Sequence, residues 1–143
     1  MKPCLVDVNV ILALLARSHV HHGLARTWFD GLEAGNAGVC RIVQLGIVRL
    51  LGNPSVMGKD AVAAVVGWRV MAELLEDERV DFVSEPPGID SILPSFLKYP
   101  VSAGKLVTDA YLASFARASD RRLVTLDGDF HRFRGIEVEV LAD

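Results

Sequence analysis

Two short apolar segments of this chain are each followed directly by an aspartate. Leu5 and Val6 precede Asp7 near the N-terminus, and residues 123–126 precede Asp127 near the C-terminus. Apolar runs of this length predict strands that are buried on both faces, as in a parallel sheet covered by helices. Ligands of open α/β sheets bind at the carboxyl ends of the strands. The pattern therefore constrains the fold and marks candidate site residues together.

The first segment predicts a strand that passes directly into a helix. Leu5, Val6 and Val8 are typical of the strand, and residues 10–15 have the Ala and Leu content of a helix. Asp7 then lies at the carboxyl end of the strand, with Asn9 at the turn. Either polar residue would also serve as a helix cap, and the sequence leaves the two interpretations open.

Length and composition predict one domain over residues 1–143. With 51% hydrophobic and 23% charged residues, the chain is typical of a globular protein with a large core. A net charge of −3 predicts no general affinity for polyanions, so any nucleic-acid contact must come from local Arg and Lys. No apolar run approaches the roughly 20 residues of a membrane span, and no signal peptide is evident. We therefore expect a cytoplasmic protein with no membrane partner.

Strand patterns alternate with helical patterns along the rest of the chain. Besides the two segments that end in aspartate, strands are predicted at residues 38–40, 79–83 and 136–141. Helical spacing covers residues 24–33, 41–51, 60–76, 89–97 and 105–116, and residues 99–104 are predicted to form a loop. The alternation predicts an α/β fold with a parallel sheet of four or five strands and helices on both faces.

Cysteine and histidine do not suggest a metal site. Cys4 and Cys40 fall in or beside predicted strands without zinc-site spacing, so we expect both to be buried and reduced. His19, His21 and His22 are close together, but on a loop without a neighbouring carboxylate they are more typical of a helix start.

Four aspartates would converge if the first and fourth strands were neighbours. Asp109 lies in or near the first turn of the predicted helix 105–116, and Asp129 follows Asp127 by two residues. Carboxylates in one crevice repel one another unless a divalent cation is bound, and Mg²⁺ or Mn²⁺ suits carboxylate and water ligands. Such a site lowers the pKa of a bound water and stabilises the charge of a phosphodiester displacement. Taken singly, Asp109 also fits the helix dipole, and Asp127 with Gly128 also fits a turn.

The motifs that carry these acids resemble those of PIN-domain ribonucleases, in particular the VapC-like toxins of bacterial toxin-antitoxin pairs. The motifs are LVDVNV at residues 5–10, TDAYLA at 108–113 and LVTLDGDF at 123–130. The resemblance spans nearly the whole chain. It implies a three-layer α/β/α fold with neighbouring first and fourth strands, a homodimer, Mg²⁺- or Mn²⁺-dependent cleavage of RNA, and a cognate antitoxin that occludes the site.

The resemblance also implies roles for individual residues. The implied catalytic and metal-binding acids are Asp7, Asp109 and Asp127, with Asp129 as a further oxygen donor. The implied supporting residues are Asn9, Gln44, Thr108 and Thr125. One position departs from the family, because Gln44 stands where a glutamate is usual on the third helix. Glutamine keeps a carbonyl oxygen but removes one negative charge, so we expect weaker divalent-ion binding and reduced activity.

Three hypotheses follow from the sequence. The first is the endoribonuclease toxin, with Arg41, Arg49 and Lys105 as candidate phosphate contacts. The second is a PIN-fold binding module in which Gln44, satisfied within the helix packing, has attenuated the chemistry. The third is a phosphatase with Asp7 as nucleophile. Asn9 weakens the third hypothesis, because many such phosphatases carry a second aspartate there.

Overall fold

Strands and helices alternate along residues 2–143, which are described by a computed structural model. The strands are β1 (Cys4–Val6), β2 (Ala37–Val39), β3 (Val80–Phe82), β4 (Arg122–Thr125) and β5 (Val138–Val140). The helices are α1 (Val8–Leu15), α2 (His22–Asp30), α3 (Arg41–Leu51), α4 (Pro54–Met57), α5 (Ala64–Glu76), α6 (Ile89–Phe96) and α7 (Ala103–Ala118). Two 3-10 turns cover Gly58–Asp60 and Gly128–Arg132.

The five strands form one parallel sheet in the order β3-β2-β1-β4-β5. β1 therefore lies at the centre, and Leu5 pairs with Leu123 of β4. The neighbouring first and fourth strands implied by the resemblance are confirmed. All three residues of β1 are fully buried, as expected for a strand covered on both faces.

Helices flank this sheet, which confirms the predicted α/β/α architecture. α1 is buried along most of its length because its residues from Val10 to Leu14 are apolar throughout. α7 buries a continuous run from Leu112 to Ala116. The edge strands β3 and β5 are partly exposed, in line with their alternating sequence.

Several predicted boundaries were wrong. Val8 is the first residue of α1 rather than part of the strand, because the Asp7 side chain accepts a hydrogen bond from its amide and starts the helix there. α7 begins at Ala103 instead of 105, and Asp109 lies in its second turn, near the helix start as predicted. α5 begins at Ala64 instead of 60, since a 3-10 turn ends at Asp60 and both Ala61 and Ala63 have extended backbone.

The cysteine and histidine interpretations agree with the structure. Cys4 and Cys40 are free thiols in the core, and burial raises the pKa of Cys4 to about 11. The His22 ring nitrogen Nδ1 lies 2.8 Å from the Ala13 carbonyl oxygen, which ties the start of α2 to α1. Within residues 2–143, no helix is long and apolar enough to cross a membrane.

Candidate active site

The site is built where β1 and β4 end side by side. The backbone N–H of Asp7 donates to the Val124 carbonyl at 2.9 Å, which extends the β1–β4 pairing to the first residue after the strand. Asp127 follows β4 by two residues on the same edge of the sheet. Both acids therefore come to one edge because the sheet is parallel, as the sequence predicted.

The Asp7 carboxylate is held by two donors. It is only 5% exposed, its Oδ1 accepts from the Val8 amide at 2.7 Å, and its Oδ2 accepts from the Thr125 hydroxyl at 2.8 Å. The first bond is a helix cap, and the second joins the ends of two strands. The alternatives left open by the sequence are thus compatible, because capping fixes the carboxylate at the edge where a site residue is needed.

Thr125 is the centre of a small polar network. Its Oγ1 accepts from the Asp127 amide at 3.0 Å and lies 3.5 Å from Asn9 Nδ2, while its hydrogen goes to Asp7. Asn9 Oδ1 in turn accepts from the Leu126 amide at 3.2 Å. Asn9 and Thr125 therefore orient Asp7 relative to the chain that carries Asp127, which fits their predicted supporting roles.

Asp7, Asp109 and Asp127, called the acid edge below, interact through their charges. Burial raises the pKa of Asp7, the Thr125 and Val8 hydrogen bonds oppose that rise, and the charge of Asp127 adds to it. The pKa of Asp109 is raised to about 6, first by burial and then by the charges of Asp7 and Asp127. A cation placed among these carboxylates would relieve their repulsion.

The donor set suits a hydrated divalent ion better than a closed cage. Within residues 2–143, no three Asp, Glu, His or Cys side chains are close enough together to hold one metal ion. Mg²⁺ is usually bound through one or two carboxylates, with waters and substrate phosphate completing its octahedron. Hard oxygen donors that repel one another fit such an ion, so one or two of Asp7, Asp109 and Asp127 would bind it directly and the rest would act through its waters.

The carboxylate of Asp129, next to the acid edge, faces cations of the protein itself. Its Oδ2 lies 3.0 Å from Lys105 Nζ and 3.3 Å from Arg132 Nη2. The hydrogen bond from Lys105 holds the pKa of the exposed Asp129 carboxyl below its usual range. Lys105 Nζ also lies 3.4 Å from Asp127 Oδ2. Arg132 was not identified from the sequence, although its spacing of three residues from Asp129 was a usable signal.

Gln44 is buried in the first turn of α3, with its side chain 3% exposed. Its Oε1 accepts a hydrogen bond from Arg41 Nη1, and the Arg41 guanidinium lies 4.6 Å from the centre of the Phe82 ring. The carbonyl oxygen thus has a partner within its own helix. This geometry favours the interpretation of Gln44 as a polar residue satisfied in the helix packing.

A groove of about 370 Å³ opens beside the acid edge, between α1, α3 and α7. The predicted supporting residue Thr108 is exposed and lines this groove, one residue before Asp109. At Gly46 an added Cβ would lie 3.2 Å from Val8 Cγ2, so the glycine allows α3 to approach α1 closely. The other lining residues are Val8, Ile42, Val43, Arg49, Leu50 and Leu112.

Comparisons with known proteins agree with this geometry. The PIN domain family model matches residues 4–136. Ribonuclease VapC41 of Mycobacterium tuberculosis is 36% identical over 143 residues, covering 96% of this chain and 98% of that protein. Ribonuclease VapC44 of the same species is 40% identical over 126 residues, covering 86% of this chain and 84% of that protein.

Solved structures show the same fold. The VapBC complex from Salmonella typhimurium bound to DNA has a TM-score of 0.69 at 16% identity, covering 98% of both chains. The sarcin-ricin loop cleaving toxin VapC20 of Mycobacterium tuberculosis has a TM-score of 0.68 at 20% identity, covering 95% of this chain and 98% of that one. Because the family model and relatives above 30% identity extend over nearly all of the residues described here, the chain belongs to the PIN-domain family, among its VapC ribonucleases.

Proposed function

We propose that this protein is an endoribonuclease toxin that hydrolyses RNA phosphodiesters at the acid edge. The observation that carries the proposal is the buried Asp7 carboxylate, oriented by Thr125 and coupled by charge to Asp109 and Asp127. The family relatives are named as ribonucleases, and the acids lie in the motifs that resemble that family.

The acids act as ligands and carriers of charge in this proposal. A divalent ion, Mg²⁺ or Mn²⁺, would supply a water of lowered pKa and neutralise charge that develops on the phosphate. Asp7 keeps one fixed orientation, since both of its oxygens are engaged by donors from two different elements. A bound cation would lower the pKa of Asp109 from about 6 and so favour its ionised form.

The groove beside the acid edge supports an antitoxin as the partner. Its walls are mainly apolar, with Arg49 as a charged member and Thr108 next to the catalytic acid Asp109. A peptide segment with apolar side chains and an acidic group fits this lining, and it would cover the path to the acids. A purified antitoxin should therefore inhibit cleavage, and Leu50→Asp in the groove should weaken that inhibition.

We also propose a homodimer that acts in the cytoplasm, where its RNA substrate is found. α5 exposes Val65 and Trp68, which lie three residues apart and so share a face of the helix. Large exposed apolar side chains on one face are typical of an interface. Sedimentation velocity of the wild type and of Trp68→Glu tests this, with a monomeric wild type as the contradicting result.

The cleavage assay uses a panel of structured RNAs with antitoxin-free protein in Mg²⁺, in Mn²⁺ and in chelator. Wild type should cut in either metal and not in chelator, and Asp7→Asn should not cut. Asp60→Asn, at an exposed aspartate of a 3-10 turn, is the matched control and should cut like wild type. Equal cleavage by wild type and Asp7→Asn would overturn the proposal.

The Arg41–Gln44 hydrogen bond favours a second candidate, a binding module with attenuated chemistry. This bond occupies the oxygen of Gln44, the position where the resemblance implies a glutamate. A silent wild type together with an active Gln44→Glu variant would support this candidate. Family membership favours both of these functions over the phosphatase hypothesis.

A further inference from the structure

Lys105 is a cation that the chain itself places against the site carboxylates. Its ammonium group lies 3.0 Å from Asp129 Oδ2 and 3.4 Å from Asp127 Oδ2. Asp109 lies four residues further along α7, so both side chains project from the same face of the helix. The positive charge of Lys105 also lowers the pKa of Asp109. Lys105 therefore acts on three of the four acids.

The position of Lys105 in its helix is unfavourable without these acids. It is the third residue of α7, where the positive end of the helix dipole disfavours a cation. Its side chain is 56% exposed, so apolar packing does not fix it there. The contacts with Asp127 and Asp129 compensate the unfavourable placement, and they use oxygens that a divalent ion would also prefer.

We propose that Lys105 is a displaceable counter-ion of the acid edge, which a divalent ion releases so that it binds an RNA phosphate. Two cations cannot share the Asp127 oxygen without repulsion, so metal binding and the Lys105 contact compete. The released ammonium sits on a flexible stem at the mouth of the site and is a point charge suited to phosphate. The inference rests on the proposed metal-dependent nuclease and adds a substrate-binding residue to it.

The first test measures metal binding without RNA or turnover. Titration of the protein with Mn²⁺, followed by loss of the free-ion electron paramagnetic resonance signal, gives the dissociation constant directly. Lys105→Met should bind Mn²⁺ about two- to fivefold more tightly, as expected for loss of one exposed competing charge. Lys105→Arg keeps the charge and should resemble wild type. Lys59→Met, in the 3-10 turn before α5, is the matched control for removal of an exposed lysine.

The second test measures RNA binding in chelator and in Ca²⁺, which takes the same oxygen ligands. In chelator Lys105 stays with the acids, so Lys105→Met should not weaken binding of a short single-stranded RNA. In Ca²⁺ the same variant should bind more weakly, and the slope of log affinity against log salt should fall by about 0.7, the value for one phosphate contact on a single strand. A residue that served the fold alone would not produce this dependence on metal.

The two proposals fail in different ways. If wild type takes up no Mn²⁺, the metal-dependent nuclease itself is wrong. If wild type binds Mn²⁺ but Lys105→Met binds it equally or more weakly, the proposed counter-ion role of Lys105 is wrong, whereas the proposed nuclease activity is not contradicted. If Lys105→Met loses RNA affinity equally in chelator and in Ca²⁺, the proposed counter-ion role is also wrong. Circular dichroism and thermal melting of each variant show that the fold is kept.

Discussion

Asp7 and Asp129 carry the same side chain in opposite surroundings. Asp7 is buried, and burial raises its pKa even though the hydrogen bonds from its two neutral donors oppose the rise. Asp129 is exposed and faces Lys105 and Arg132, so its pKa is lowered. Position in the fold, rather than residue type, therefore divides the acids into an inner carboxylate that is fixed in place and an outer one that pairs with the protein's own cations.

The contrast between Asp7 and Asp129 would be wrong if the two acids contributed equally to catalysis. Asp7→Asn should lower the rate of RNA cleavage about a thousandfold, equivalent to roughly 4 kcal/mol, because it removes the central charge of the proposed metal site. Asp129→Asn should lower it less than about tenfold, since an exposed carboxylate contributes little. Single-turnover rates in Mg²⁺ measure both, and similar losses would show that the inner and outer acids do not differ.

A smaller effect is expected when the support of the inner acid is removed. Thr125→Val keeps the shape but deletes the hydroxyl that donates to Asp7 and accepts from the Asp127 amide. Loss of such a partner typically costs about 10- to 100-fold in metal affinity or activity. Thr125→Ser restores the hydroxyl and should recover most of the rate. An unimpaired valine variant would mean that Asp7 is fixed without this bond.

The pH dependence of the free energy of unfolding tests a third acid, Asp109, whose burial lies between those of Asp7 and Asp129. The pKa of Asp109 is about 6 in the folded protein against 3.8 for the unperturbed carboxyl of an unfolded chain, so the folded state binds this proton more tightly. The resulting stabilisation is complete below pH 3.8 and is lost as pH rises through about 6. Metal-free wild type should therefore lose stability over that window.

Asp109→Asn removes this loss because its amide stays neutral. Solvent screens the partly exposed group, which leaves about 1 kcal/mol of the effect. At pH 7.5 in chelator the variant should melt a few degrees higher than wild type, roughly 2 to 5 °C. Near pH 4 the difference should largely vanish. Calorimetry measures both melting temperatures. If wild type and Asp109→Asn differ by the same amount at both pH values, the effect comes from packing and not from charge.

The sequence predicted the strand ends well because an apolar run followed by aspartate is a local signal. Leu5 and Val6 before Asp7 were enough to predict a buried strand with an acid at its end. The neighbouring positions of β1 and β4 came from family resemblance, since no local pattern encodes which strands pair. The hydrogen bond from Thr125 to Asp7 joins residues 118 apart and depends on that pairing.

The environment of Lys105 was less accessible to sequence reasoning. Residues 99–104 were predicted to form a loop, and Gly104 has a low helix propensity. In the structure α7 begins at Ala103, which directs Lys105 toward Asp127 and Asp129. The sequence suggested a phosphate contact for this lysine but not its contact with the acids, which requires the tertiary placement of the turn after β4.

The central position of β1 has a consequence for how this protein can be silenced. The amide of Asp7 is bonded to β4 in the middle of the sheet, so exposing it to hydrogen exchange requires separation of the central strand β1 from β4. Protection at this amide should approach that of global unfolding. Local unfolding then does not give an inactive state in which the site is disrupted. Inactivation in a cell must come from a partner that covers the site or from degradation of the whole domain.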